Sequence, residues 1–145
     1  MGHTFNGWGE VAENVPANDV TYEGTYTVNS YTVTFKIGDE VIFSESMAYG
    51  TEIVAPEAPE KEGYTFDGWS TAIPETMPAN SLTFTAEWNI NSYDIIWIVD
   101  GVETTQNYQF GAEITAIANP TKEGYTFTGW SREIPTTMPA ENITI

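Results

Sequence analysis

The sequence predicts a mainly β protein, α+β at most, made of small tandem modules with four strands each and a short or absent helix. Two observations carry that expectation. A set of phrases returns about every 61 residues, and between the phrases apolar residues alternate with a period of two. The first phrase occurs as Gly2-His-Thr-Phe-Asn-Gly-Trp8, Gly63-Tyr-Thr-Phe-Asp-Gly-Trp69 and Gly124-Tyr-Thr-Phe-Thr-Gly-Trp130, which sets the tryptophans at a constant interval of 61. Each is followed by a second phrase: Val15-Pro-Ala-Asn18, Met77-Pro-Ala-Asn80 or Met138-Pro-Ala-Glu141. New units open on Asn29-Ser-Tyr31 and Asn91-Ser-Tyr93, and Tyr49-Gly50 and Phe110-Gly111 mark the middle of a unit. Self-similarity at a fixed period marks an array in which one supersecondary unit is stacked on copies of itself.

The elements follow in order. Tyr31, Val33, Phe35 and Ile37 alternate with polar residues and share one face of a strand, as do Tyr93, Ile95, Trp97 and Val99. Gly38-Asp39 and Asp100-Gly101 come next and suit a tight hairpin turn, because both residue types tolerate positive φ. A second strand runs from Glu40 to Tyr49, and Tyr64-Thr-Phe66 begins a third. Leu82, Phe84, Ala86 and Trp88 alternate through a fourth. Between the second and third strands, Pro56 and Pro59 break any helix in one unit, whereas Ala112–Ala118 lacks proline and has room for a turn or two. The stretch from Ile73 to Asn80 reads as an ordered loop, restrained by Pro74 and Pro78.

Placed on the chain, the repeat makes residues 1–28 the back part of a unit, 29–90 a complete unit, and 91–145 a unit shortened in its last strand. Both ends therefore read as cuts within a longer array. A unit of this size is marginal alone. Its density of aromatic residues and contact with neighbouring repeats compensate, and the short connection from Trp88 to Tyr93, free of proline and glycine, predicts restricted hinging.

Composition narrows the function. With 21 acidic residues against 4 Lys and Arg, the net charge is −17. Nucleic acid and anionic membrane surfaces are excluded as partners, since both are held by clustered cations. No cysteine is present, so there is no disulfide frame, thiolate metal site or cysteine nucleophile. No apolar run approaches the roughly 18 residues of a membrane span, and the N-terminus lacks the pattern of a signal peptide.

The chemistry of a reaction site is missing. His3, the sole histidine, stands where the other units have Tyr64 and Tyr125, and reads as a structural substitution. No nucleophile–base pair, phosphate loop or ordered calcium loop occurs. The acids at Asp39-Glu40 and from Glu57 to Glu62 read as solvated surface, with neither a metal nor a cofactor implied. Ile98 replaces Lys36 at the matching position, which argues against a lysine–asparagine cross-link common to the units. Trp69 and Trp130 recur as core residues do, and are assigned to the core rather than to a sugar-binding platform. Ile96 and Ile98 lie on the strand face opposite Tyr93, Ile95, Trp97 and Val99, where the second unit has Thr34 and Lys36. A strand apolar on both faces is covered twice or leaves a sticky patch. Both isoleucines are therefore expected to touch an adjacent module or another chain.

The combination of a Tyr-x-Val-Thr-Phe strand, a mid-unit Tyr-Gly, Met-Pro-Ala-Asn, and the segments Pro59–Trp69 and Pro120–Trp130 resembles the Listeria–Bacteroides repeat family, the internalin B-repeat-like modules. The resemblance covers nearly the whole chain. It implies a β-grasp-like fold, a secreted or cell-surface location in bacteria, and no catalytic residues. The reading is then a non-enzymatic repeat that acts as a stalk or spacer, with a share in adhesion or protein–protein interaction. The alternative is a glycan- or host-protein-binding module that uses variable surface positions. Expected partners are neighbouring repeats, a host or cell-surface protein or glycan, and other copies of the chain through its incomplete end units.

Overall fold

A computed structural model describes residues 2–14 and 16–145. Val15, which opens the first copy of the Pro-Ala phrase, lies outside the described residues. Among them there are nine strands and no helix: β1 (His3–Trp8), β2 (Gly24–Val28), β3 (Ser30–Ile37), β4 (Glu40–Ala48), β5 (Tyr64–Trp69), β6 (Leu82–Ile90), β7 (Ser92–Val99), β8 (Val102–Gln109) and β9 (Ile143–Thr144). They form a β1-β2 ribbon, a four-stranded sheet ordered β4-β3-β6-β5, and a three-stranded sheet ordered β8-β7-β9. These are tandem β-grasp-like modules, as the alternation and the resemblance predict.

Each module begins with a hairpin. β3 and β4 pair antiparallel from Ser30↔Ala48 to Ile37↔Glu40, with a bulge after Phe35. β7 and β8 pair from Ser92↔Gln109 to Val99↔Val102 without one. The turns differ in kind. Asp100 (φ 51°) and Gly101 (φ 79°) both take the left-handed conformation that a type I′ turn requires, whereas in Gly38-Asp39 only the glycine does (φ 57°).

The last strand of each module then returns parallel to the first. β6 meets β3 through Val33↔Leu82 and Phe35↔Phe84, and β9 meets β7 through Ile95↔Ile143. Parallel neighbours need a long crossover, and here no helix supplies it: irregular chain carries it in both modules, interrupted by β5 in the first. The turn of helix allowed for Ala112–Ala118 does not form. The Ile114 amide donates to the Thr136 carbonyl, and the Tyr108 hydroxyl bonds both the carbonyl and the amide of Thr115. Those groups are thus taken by distant partners, and the β-branched Ile114, Thr115 and Ile117 have little helical preference to set against that.

The chain divides into two compact units, Met1–Glu57 with Gly68–Glu87, and Ala58–Asp67 with Trp88–Ile145. The first has a core of Val33, Phe35, Ile53, Met77 and Phe84, with Trp69 and Leu82 packed against it. Phe35 and Phe84 stack with ring centres 5.0 Å apart, and Trp69 meets Phe35 edge-on at 4.8 Å. The second core holds Ile95, Trp97, Met138, Ile143 and Ile145, flanked by Trp130 and Ile134. There the buried Trp97 indole donates to the Gln106 amide oxygen at 2.8 Å, so its N–H is not left unpaired in the core.

The predicted loop from Ile73 to Asn80 is ordered by backbone bonds. Met77 exchanges N–H and C=O with Thr51 and Gly50, and Ile53 donates to Glu75. Met138 repeats this with Ala112 and Gly111, and Ile114 with Thr136. Each methionine is thereby held as a plug, fully buried under the sheet. Phe35→Ala should leave a cavity between Phe84 and Trp69 and lower the unfolding free energy by about 3–5 kcal/mol. Urea titration of the purified chain checks this hypothesis, and a loss under about 1 kcal/mol would sink it.

Candidate interaction surfaces

Several recurring letters of the sequence have no place in either core, yet the fold assembles them into one arrangement. In the first unit the Asn29 amide donates to the Gly2 carbonyl at 2.9 Å, and the Asn29 carbonyl accepts from the Tyr49 amide at 2.8 Å. The Thr4 hydroxyl donates to the Asn29 side-chain oxygen at 2.6 Å. The Tyr49 ring lies so closely on Gly2 that an added Cβ would fall within it. In the second unit Asn91 bonds Gly63 and Phe110 at 2.9 Å each, Thr65 donates to Asn91 at 2.6 Å, and the Phe110 ring covers Gly63. His3 meets Tyr49 edge-on as Tyr64 meets Phe110, at 5.6 and 6.0 Å. His3 thus serves as the aromatic neighbour that tyrosine supplies in the other copy, which is the structural role expected of it.

Glycine is required here because only a bare backbone lets a ring lie flat on the strand. The sequence had exposed every member of this junction as a repeated phrase. Their joint role was not legible, because Gly2 and Asn29, or Gly63 and Asn91, meet only once the strands pair.

The predicted contact residues Ile96 and Ile98 fall on β7. Ile96 is half-buried, while Ile98 is 41% exposed and lines a cleft of about 590 Å³ with Phe127, Trp130 and Ile145. Lys122 and Asp100 form an exposed ion pair at 2.7 Å beside this cleft, a contact of the solvent-screened kind that contributes little. Trp69 and Trp130 rest on the rings of Phe35 and Trp97, in keeping with their assignment to the core. Trp8 differs: it is 61% exposed and leans on Phe5. Among the described residues, no three acidic or histidine side chains converge as metal ligands, and no buried side-chain polar atom lacks a partner.

Two successive stretches, residues 31–92 and 93–145, match the model of the Listeria-Bacteroides repeat domain. The chain belongs to the Listeria–Bacteroides repeat family. It is 37% identical to Internalin H of Listeria monocytogenes over 123 residues, 77% of this chain and 22% of that protein. A putative membrane protein of Evansella cellulosilytica is 31% identical over 153 residues, 91% of this chain and 23% of the relative. A putative Gly-rich membrane protein of the same organism is 29% identical over 155 residues, 91% of this chain and 18% of the relative. The chain therefore spans about a fifth of the length of these relatives. As a member of this family it is a non-enzymatic, repeat-based bacterial surface module.

Asn91 links three partners in the second junction. Asn91→Ala should remove the Thr65 bond and destabilise the chain by about 1 kcal/mol, with faster amide exchange at Phe110. Hydrogen exchange followed by mass spectrometry checks this hypothesis, and unchanged exchange there would refute the junction.

Proposed function

We propose that these repeats act as a spacer outside the cell, setting distance between an anchor and the working domain of a larger protein. One observation carries the reading. The buried cores recur from unit to unit, Val33, Phe35, Met77 and Phe84 being matched by Ile95, Trp97, Met138 and Ile145, and the Asn–Gly junction recurs beside them. In this reading the working repeats are 29–90 and 91–145, preceded by the tail 1–28. The net charge of −17 keeps such an array self-repelling and soluble. A spacer predicts that inserting further copies of residues 29–90 adds a constant increment to the maximum dimension in small-angle scattering. It also predicts no saturable binding to glycan arrays or host-matrix proteins. Saturable binding abolished by surface substitutions would replace the spacer by a binding module.

Ile96 and Ile98 belong to the same proposal as contact points for an adjacent module or another chain, supported by the exposure of Ile98 at the cleft. The double substitution Ile96→Thr with Ile98→Lys is expected to lower thermal stability or concentration-dependent association. Sedimentation and calorimetry that do not change would reject it.

A further inference from the structure

The Gly-x-Thr phrase occurs three times, and the first two copies are covered. Gly2 and Gly63 are buried beneath Tyr49 and Phe110, and their following threonines are bonded to Asn29 and Asn91. At its turn the third copy keeps the geometry of the second without the cover, although residues 126–130 form no strand where β5 runs in the second. Gly124 has φ 76° where Gly63 has 75°. The Tyr125 amide donates to the Lys122 carbonyl at 3.1 Å, as Tyr64 does to Lys61 at 3.0 Å. Both turns close through the same bridge, Lys61↔Tyr64 and Lys122↔Tyr125, and each lysine lies over its tyrosine ring. Yet Gly124 is exposed, a Cβ built on it meets nothing within 4 Å, and Tyr125 is 75% exposed.

We propose that the Gly124-Tyr125-Thr126 edge is a docking surface for the opening asparagine and the hairpin-end aromatic of a further repeat of this same type. The two filled junctions define what fits. The partner supplies an amide to the Gly124 carbonyl, a side-chain oxygen to the Thr126 hydroxyl, and a ring to lie on Gly124. Tyr49 and Phe110 already cover Gly2 and Gly63, so the aromatic comes from a repeat whose own junction is unfilled. The turn at Lys122 already holds Gly124 and Tyr125 in the conformation seen at Gly63 and Tyr64, so docking has only the stretch after Tyr125 left to order. The edge is independent of whether the array sets distance or binds a ligand, and the experiment reads the edge alone.

The test extends the full chain past Ile145 with a copy of residues 85–145, which continues β9 and adds one repeat. Site-resolved iodination of Tyr125 and hydrogen exchange at the added copies of Asn91 and Phe110 are measured. Tyr125 iodination should slow about tenfold relative to the 145-residue chain, reach the level of Tyr64, and be restored by alanine at the added Phe110 copy. In the unextended chain, Phe110→Ala should raise Tyr64 iodination in parallel, which tests the template itself. An added repeat that folds by circular dichroism while Tyr125 reacts as before would overturn the proposal. So would an extension that stays unfolded, because the edge would then have failed to order its partner. Protection of Tyr125 that grows with concentration of the unextended chain would assign the edge to a second copy, and would overturn the in-line repeat as its occupant.

Discussion

The parallel return of the last strand onto the first is the constraint on which each unit depends. It brings Phe84 over Phe35 and Ile143 beside Ile95, and so closes the apolar face of the first strand in each module. A parallel partner cannot be reached by a hairpin, so the chain must cross over the sheet. In most folds a helix covers that route. Here irregular chain does so, and irregular chain carries backbone donors and acceptors that must be satisfied if buried. The reciprocal bonds of Met77 with Gly50 and Thr51, and of Met138 with Gly111 and Ala112, meet that requirement and deliver an apolar side chain to the core. The prolines around the methionine limit the freedom of the unfolded loop, which lowers the entropy lost in ordering it.

The second constraint concerns strand ends. A small module with exposed edges is open to pairing with any other chain. Placing an aromatic ring flat on a glycine, and a bridging asparagine beside it, makes the contact depend on shape and on three specific bonds. Tyr49 and Phe110 are interchangeable in this role because the ring face does the packing and the backbone amide does the bonding. The strongly acidic surface opposes non-specific association, so the specific junction faces little competition.

Period and alternation were written plainly in the sequence. They determined the strands, the hairpin turns, the tandem arrangement and the family, because side-chain alternation and turn chemistry are local properties of a strand. Tertiary structure alone decided the rest. Met77 and Met138 recurred on schedule, yet their burial follows from a loop folding back on the sheet. Ala112–Ala118 had no proline to forbid a helix, and distant partners at Thr136 and Tyr108 claimed its backbone instead. Asn29 and Gly2 are far apart in the chain, and so are Asn91 and Gly63. Their meeting depends on which strands pair, and a pairing fixed by long-range packing leaves no local trace in the order of residues.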